Sequence, residues 1–350
     1  MPHLTRPAIA IALLVAAQGF TLRAADRQVA WVVADGDRGT ERALNAEAAR
    51  GLRLATVTEG LPCSVAIMQT PETPGGGATY RVIADRDLPA ALPQLAAEGF
   101  EPRGMMRRTV GRAHVIWERV AQERQRTAPG DWRIVEFASP DTLEADLAVV
   151  ARDGFRPVLL ARNAFRSWPG LSEKGQILVV KRPNSAPRDV RVLAGRGRKL
   201  DDIAKEFASL TAAGWEFDLL ITTSRDGSRE ARRERAYVVL SRDPARKSPP
   251  VPMTLERSSS WGTYGSGVAV AATNYWHEFL LAIRREEGHQ IWGTPTRIKG
   301  AEPGCPNLGL TLELDAGRTQ RSTIVGAVGR FQEGLGDYEL VVMLDERFGR

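Results

Sequence analysis

Apolar side chains recur at helical spacing in four segments between residues 29 and 242, and each segment ends at a glycine. In three of the segments the apolar residues fall at i, i+4 and i+7, with glycine at i+11 and an aromatic residue directly after it. This spacing places three side chains on one helix face, and glycine readily takes the left-handed conformation that ends a helix. We therefore predict four helices that end at Gly51, Gly99, Gly154 and Gly214, followed by Leu52, Phe100, Phe155 and Trp215.

Strand-like runs surround each predicted helix, one before it and two after it. The runs that precede the helices cover residues 29–34, 80–84, 132–137 and 190–194. The repeated unit is therefore strand, helix, strand, strand, and we place the copies at residues 26–75, 76–128, 129–187 and 188–243. The predicted fold class is α+β, with about four tandem βαββ repeats whose helices form a layer on antiparallel-rich sheets.

The pattern changes after residue 243. Residues 244–252 are rich in Pro, Lys and Ser and predict a linker. Residues 253–350 predict a C-terminal α+β segment, with a helix over 272–287 that ends at Gly288 and several strands after it. This segment is either a degenerate fifth repeat with an extra hairpin or a separate β-rich cap.

The ends of the predicted helices share a short motif. It is Glu98-Gly99-Phe100 in the second unit, Asp153-Gly154-Phe155 in the third and Ala213-Gly214-Trp215 in the fourth. The unit resembles small bacterial domains of unknown function, in which a helix ending in Glu-Gly-Trp or Glu-Gly-Phe is followed by a hairpin. The resemblance implies tandem strand-helix-strand-strand domains and supplies no catalytic residue.

The first 25 residues have the order of a secretory signal peptide. Arg6 precedes an apolar run over residues 7–17, and Ala24 and Ala25 offer a small-residue cleavage site. The run is shorter than the roughly 20 residues that a membrane-spanning helix needs. We expect cleavage and a secreted or periplasmic bacterial protein, with an uncleaved membrane anchor as the alternative.

Composition narrows the class of protein. The 350 residues are 43% apolar, so there is enough apolar side chain to form a core. The net charge is +6, and basic and acidic residues are interspersed, which is not the concentrated charge of a nucleic-acid binder. We expect no nucleic-acid partner and no transmembrane segment in the mature chain. An envelope protein or an anionic surface is the kind of partner that we consider.

Few residues carry recognisable chemistry. An aromatic neighbourhood with two histidines is a candidate ligand pocket, and it contains Trp276, His277, Glu278, His289 and Trp292. Alternatively, these residues belong to an aromatic core helix whose polar edge carries the His and Glu side chains. The basic residues 225–235 fit either an anionic surface or a solvated loop tip, and residues 35–39 fit a strand-to-helix turn better than a calcium loop. We assign no catalytic residue, metal site or cofactor.

Two cysteines, Cys63 and Cys305, are the only ones in the chain. Both fall in predicted turns, and an exported protein meets an oxidising compartment. We therefore expect a Cys63–Cys305 disulfide that ties the first unit to the last segment and closes or strongly curves the array.

The leading functional hypothesis is an exported, non-catalytic binding or scaffold module of the cell envelope, because tandem units build extended surfaces. The alternative is a periplasmic, hydrolase-like enzyme with its site in residues 259–331.

Overall fold

The structure is a computed structural model that describes most of the chain outside its first residues and several connections. The described residues are 28–33, 36–58, 64–71, 76–107, 113–121, 130–137, 140–162, 175–194, 200–223, 235–246, 253–258, 263–264, 269–273, 279–284, 289–298, 322–332 and 337–347. The predicted signal peptide lies outside them.

The described part of residues 28–246 forms four strand-helix-strand-strand units, which confirms the predicted α+β tandem repeat. In chain order the elements are β1 (Val29–Val33), α1 (Gly36–Ala49), β2 (Arg53–Val57) and β3 (Val65–Gln69); β4 (Ala78–Ala84), α2 (Leu88–Glu98), β5 (Glu101–Arg107) and β6 (Ala113–Val120); β7 (Asp131–Phe137), α3 (Pro140–Ala151), β8 (Arg156–Arg162) and β9 (Gly175–Lys181); β10 (Asp189–Ala194), α4 (Leu200–Ala212), β11 (Glu216–Thr223) and β12 (Arg235–Arg242).

All four helices end in the same way. The predicted glycines have φ values between 76° and 89°, in the left-handed region. In each case the glycine N–H donates to the carbonyl three residues back, and the next N–H donates to the carbonyl five residues back, as in Gly214 to Thr211 and Trp215 to Leu210. These are the two hydrogen bonds of the Schellman motif. The glycine pattern therefore marked real helix ends.

Each unit has a three-stranded sheet whose third strand lies between the first and the second. Both pairings are antiparallel, as shown by β1 with β3 and β2 with β3. β3 is buried along its whole length, because the sheet is covered on both faces. The second strand of every unit skips the residue four positions after the cap glycine in its pairing. The skipped residues are Ala55, Arg103, Val158 and Asp218, and β8 skips Ala161 as well.

The helix of each unit packs against the first strand of the next unit. The contacts are α1 with β4, α2 with β7, and α3 with β10. The apolar clusters follow the same rule, since one cluster joins Leu44 of α1 to Ile116 of β6, and another joins Leu147 of α3 to Val239 of β12. Each core is therefore shared by two neighbouring units, and an isolated unit lacks half of its core.

The C-terminal segment is made of strands where it is described: β13 (Met253–Ser258), β14 (Thr263–Tyr264), β15 (Ala269–Thr273), β16 (Phe279–Arg284), β17 (His289–Ile298), β18 (Thr323–Gln332) and β19 (Asp337–Arg347). The predicted helix over residues 272–287 is therefore wrong. Residues 279–283 read FLLAI, and this apolar run is the middle strand of a sheet with the order β13-β16-β15.

That fifth sheet repeats the first-third-second order of the four units, and α4 packs on β13 as the other helices pack on the next first strand. A sixth sheet follows with the order β14-β17-β19-β18. The segment thus combines a sheet of repeat topology with an additional four-stranded sheet.

The six sheets close into a ring. One edge strand of each sheet lies beside the corresponding strand of the next sheet, in the cyclic order β2, β5, β8, β11, β15, β18 and back to β2. Gln69 of β3 joins the ends, because its side-chain amide donates to the Ser322 carbonyl at 2.9 Å and accepts from the Ile324 N–H at 3.0 Å. Radial repetition of this kind leaves only short, protected strand edges. The expected closure of the array is present, whereas Cys63 and Cys305 lie outside the described residues.

Candidate functional site

The junctions between neighbouring units carry most of the enclosed charge. Two positions after each cap glycine the chain has a charged residue whose sign alternates, with Arg53, Glu101, Arg156 and Glu216 in units 1 to 4. Each of the first three pairs with an opposite charge on the following unit. The alternating signs therefore place opposite charges on the two units that meet at each of these three junctions.

At the first junction Glu118 is the centre of a network, and its side chain is only 1% exposed. Its two carboxylate oxygens accept from Nε and Nη2 of Arg53, each at 2.9 Å. The hydroxyl of Tyr80 donates to Glu118 at 2.7 Å, and Arg103 Nε donates at 2.6 Å. Bidentate arginine contacts of this type are strong and directional.

Burial raises the pKa of the Tyr80 hydroxyl, and the negative charge of Glu118 raises it further. Burial also works to raise the pKa of Glu118, but the hydrogen bonds from Arg53 and the charge of Arg103 outweigh it and hold this pKa below its usual value. The network thus contains a neutral tyrosine and an ionised glutamate.

The second junction uses two separate ion pairs. Glu101 of β5 accepts from Arg182, which follows β9, at 2.6 and 2.7 Å. Asp85, which follows β4, accepts from Arg162 of β8 at 2.5 Å. The Asp85 side chain is 6% exposed and that of Arg162 is 18% exposed, so this second pair is largely shielded from water.

At the third junction Asp218 stands on the skipped position of β11, with a fully buried side chain. Arg156 donates to it at 2.5 Å and lies 2.7 Å from Glu216. Arg188 reaches Glu216 at 3.0 Å and the Ser241 hydroxyl at 3.2 Å. Burial raises the pKa of Asp218 to about 6, although the neighbouring arginines oppose the shift. The second carboxylate oxygen of Asp218 has no hydrogen-bond partner among the described residues.

These ion-pair networks link one unit to the next. Their charged groups are paired with opposite charges within the networks. Enclosed ion pairs contribute little net stability compared with apolar packing, but removal of one partner is strongly destabilising. Their effect is therefore to specify which sheet follows which.

A groove of about 500 Å³ opens beside the third junction, between α3, β10 and the end of α4. Its floor contains the half-buried apolar residues Val190, Leu210 and Trp215. Arg152, Arg188 and Arg191 lie on its rim. Asp189 is the one acidic residue in its lining, and it pairs with Arg242 at 2.7 Å. The groove thus offers an apolar floor under an excess of positive charge, in the volume range of small-ligand sites.

The way each helix covers the next strand edge explains where this groove lies. At the first junction Asn45 of α1 donates to the Tyr80 carbonyl and accepts from the Tyr80 N–H, both at 2.9 Å. Glu41 accepts from the Val82 N–H at 2.9 Å. Two polar side chains on α1 therefore satisfy the outward-facing backbone groups of β4, which would otherwise form an open strand edge.

At the third junction only one of these two contacts exists. Glu144 of α3 accepts from the Val192 N–H at 2.7 Å, as Glu41 does at the first junction. The position that corresponds to Asn45, six residues before the cap glycine, is Ala148. Ala148 has no amide, and it lines the groove together with Val190. The groove therefore lies at a junction without the asparagine contact; the second junction also has no asparagine at this position, because the corresponding residue is Pro93.

Another polar contact joins α1 to β6. The carboxylate of Asp37, in the first turn of α1, lies against Nδ1 of His114, and the His114 side chain is 11% exposed. Helix α1 begins at Gly36, so the described part of residues 35–39 is a helix start, as the turn interpretation predicted.

The structure describes only part of the site predicted from sequence. Trp276, His277 and Glu278 lie outside the described residues. His289 and Trp292 lie in β17, where they are register partners of Arg347 and Leu344. Of the basic residues 225–235 only Arg235 is described, in β12. The predicted pocket thus stays a prediction.

Sequence reasoning missed Glu118, Asp218 and the groove. A signal for the junctions was present, since the charges two positions after the glycines alternate in sign. The difference between Asn45 and Ala148 becomes meaningful only when the units are superposed and the strand that each helix covers is known.

Two searches of the described residues gave negative results. Three or more His, Cys, Asp or Glu side chains do not come together there as a metal-binding group. The same residues include no helix of the length and apolarity needed to span a membrane.

Comparison of the chain with family models, with curated proteins and with solved structures finds no match.

Proposed function

We propose that the chain is an exported, non-catalytic binding or scaffold module of the bacterial cell envelope. The observation that supports this proposal best is the ring closure by Gln69, which links two parts of the chain 253 residues apart. A closed ring holds the ends of its described strands in fixed relative positions, and the loops that leave a rigid scaffold commonly carry binding functions.

The use of polar side chains supports a structural rather than catalytic role for the junctions. Glu118 is held by two arginines, and Asp218 is paired with Arg156. Both carboxylates are thus held by arginines of the junctions, as expected of groups that link neighbouring units. The export component of the proposal rests on the N-terminal 25 residues, and the relation to small bacterial domains rests on the glycine-aromatic motif.

A capture experiment tests this function. The mature chain, starting near Ala25 or Asp26, is immobilised and exposed to envelope extract, and retained proteins are compared with those retained by Gln69→Ala. We expect the wild-type chain to retain a defined set of envelope partners, and Gln69→Ala, in which ring closure is weakened, to retain less of them. The control is Gln94→Ala, which changes an exposed glutamine that contacts only Glu98. Equal retention by all three proteins would contradict a ring-dependent binding role.

The location of the protein needs a separate measurement. N-terminal sequencing of the protein from the periplasmic and washed membrane fractions distinguishes cleavage from anchoring. A start near Ala25 or Asp26 supports export, whereas an intact Met1 in washed membranes contradicts cleavage.

A further inference from the structure

The edge of β10 presents backbone groups to the groove that the equivalent edge of β4 does not. Outward-facing residues alternate along an antiparallel edge strand. Since the Val192 N–H points to Glu144 of α3, the N–H and carbonyl of Val190 point to the same side. Val190 corresponds to Tyr80, because each lies two residues before the position that a helix glutamate contacts. At Tyr80 both backbone groups are occupied by Asn45, whereas Ala148 cannot occupy those of Val190.

At the fourth junction a helix side chain also reaches the next first strand. Thr211 of α4 accepts from the Met253 N–H at 3.1 Å, at the start of β13, while its own hydroxyl lies 3.1 Å from the Ala208 carbonyl. A helix side chain therefore satisfies both backbone groups of one residue at the first junction and one such group at the fourth. Among the described residues, no such contact reaches Val190.

The surroundings of Val190 define what can replace the missing amide. Arg152 is exposed on the rim and has no ion-pair partner among the described residues. Arg191 reaches Glu206 and Glu144 only at 3.6 and 3.9 Å. The side chains of Leu210 and Trp215 provide the apolar floor.

We propose that this groove binds the carboxyl-terminal end of a peptide. The N–H and carbonyl of the penultimate residue take the place of the Asn45 carboxamide and pair with the carbonyl and N–H of Val190. The terminal carboxylate binds Arg152 and Arg191, and an apolar side chain lies on Leu210 and Trp215. Backbone pairing with a sheet edge is a general mode of peptide recognition, and here it involves one residue, because α3 covers the edge at Arg188 through the Ala151 carbonyl and at Val192 through Glu144. This inference deepens the proposed binding function and rests on it.

Direct titration of the mature chain tests the groove without any unidentified partner. The probe is N-acetyl-Ala-Leu, which has a peptide group, an apolar side chain and a free terminal carboxylate. N-acetyl-Ala-Leu-amide removes only the charge, and N-acetyl-Leu-Glu-amide moves the carboxylate to a side chain. We expect the first probe to bind at least about tenfold more tightly than either amide, since a hydrogen-bonded charge contributes about 1.5–3 kcal/mol. Equal or tighter binding of either amide would overturn the assignment to a terminal carboxylate.

Ala148→Asn is the decisive variant, because it introduces the residue that the first unit uses to cover its strand edge. We expect this variant to keep or raise the thermal midpoint and to weaken binding of the probe by about tenfold or more. Its matched control is Ala90→Asn, the same change at an exposed position of α2. Unchanged probe binding by Ala148→Asn, with the thermal midpoint kept, would overturn the proposal.

Arg152→Gln tests the charge independently of the backbone edge. We expect about tenfold weaker binding of N-acetyl-Ala-Leu, and no change for Arg86→Gln, an exposed arginine that follows β4.

If no probe binds while envelope partners are still retained by the intact ring, the peptide site is wrong and the binding function stands. If the probes bind and no partner is retained, the scaffold function is wrong and the groove stands.

Discussion

Gln69 and Ser322 are hydrogen-bonded to each other although 253 positions separate them in the chain. The Gln69 side chain and the Ser322 residue are both buried, so this contact is shielded from water. It places the first sheet beside β18 and converts a linear array of units into a closed one.

We expect Gln69→Ala to destabilise the protein, because it leaves the Ser322 carbonyl and the Ile324 N–H without their partner. A buried polar group left unsatisfied costs about 1–3 kcal/mol. The free energy of unfolding from urea titration measures the loss. Gln94→Ala is the control, and an effect no larger than that of this control would show that Gln69 does not hold the ring closed.

Asp218 predicts a specific pH dependence of stability. Its pKa in the folded state is about 6, above the usual value of 3.8, so the folded protein binds more protons than the unfolded chain between these values. Stability should therefore fall as pH rises from 4 to 6 and level off above pH 6, with a contribution on the order of 2–3 kcal/mol.

Asp218→Asn should lack this component, since an amide does not titrate. Urea unfolding of both proteins between pH 4 and 7.5 gives the difference directly. Parallel stability curves for the two proteins over this range would contradict the raised pKa.

Replacement of the cap glycines by alanine should lower stability by unequal amounts. A residue with a Cβ in the left-handed region costs roughly 1–2 kcal/mol, which applies to Gly51 and Gly214, where an added Cβ meets nothing within 4 Å. At Gly154 the added Cβ would also come within 2.8 Å of the Ser185 carbonyl oxygen. We expect Gly154→Ala to lower the thermal midpoint more than Gly51→Ala does. The reverse order would show that the close approach is relieved without cost.

Glu118→Gln tests the enclosed network at the first junction. The change leaves the guanidinium groups of Arg53 and Arg103 facing a neutral amide, and we expect a loss of about 1–3 kcal/mol because both arginines still reach water. Glu98→Gln, which breaks the more exposed pair with Arg81, should change stability by less than about 1 kcal/mol. Equal effects of the two changes would contradict a special role for the enclosed carboxylate.

The Cys63–Cys305 disulfide stays a prediction, because both cysteines lie outside the described residues. Non-reducing mass spectrometry of the protein purified under oxidising conditions should show one linked peptide pair. Two thiols that react freely with an alkylating reagent would contradict the bridge.

The repeated units were predictable because their signals are local. The i, i+4 spacing and the cap glycine both lie within one helix, and Leu143 and Leu147 are fully buried as the spacing requires. The position three residues before the cap glycine is also buried in the first, third and fourth units, at Ala48, Ala151 and Thr211, although the predicted spacing did not include it.

The C-terminal segment could not be assigned in the same way. Trp276, Leu280 and Ile283 have helical spacing, but residues 279–283 are also an unbroken apolar run. Such runs fit a strand buried on both faces as well as a helix, and the sheet context decided the outcome. Ring closure and the groove at Ala148 depend on contacts between residues far apart in the chain, so no local sequence pattern predicts them.

A closed ring also constrains the order of events during folding. Since the first sheet is synthesised long before β18, Gln69 and its surroundings meet their native neighbours only after the last quarter of the chain is present. Contacts of such high sequence separation form slowly, and incomplete chains expose strand edges that aggregate. The folding chain therefore passes through an open form, and the lifetime of that form sets its need for chaperones and its exposure to proteases.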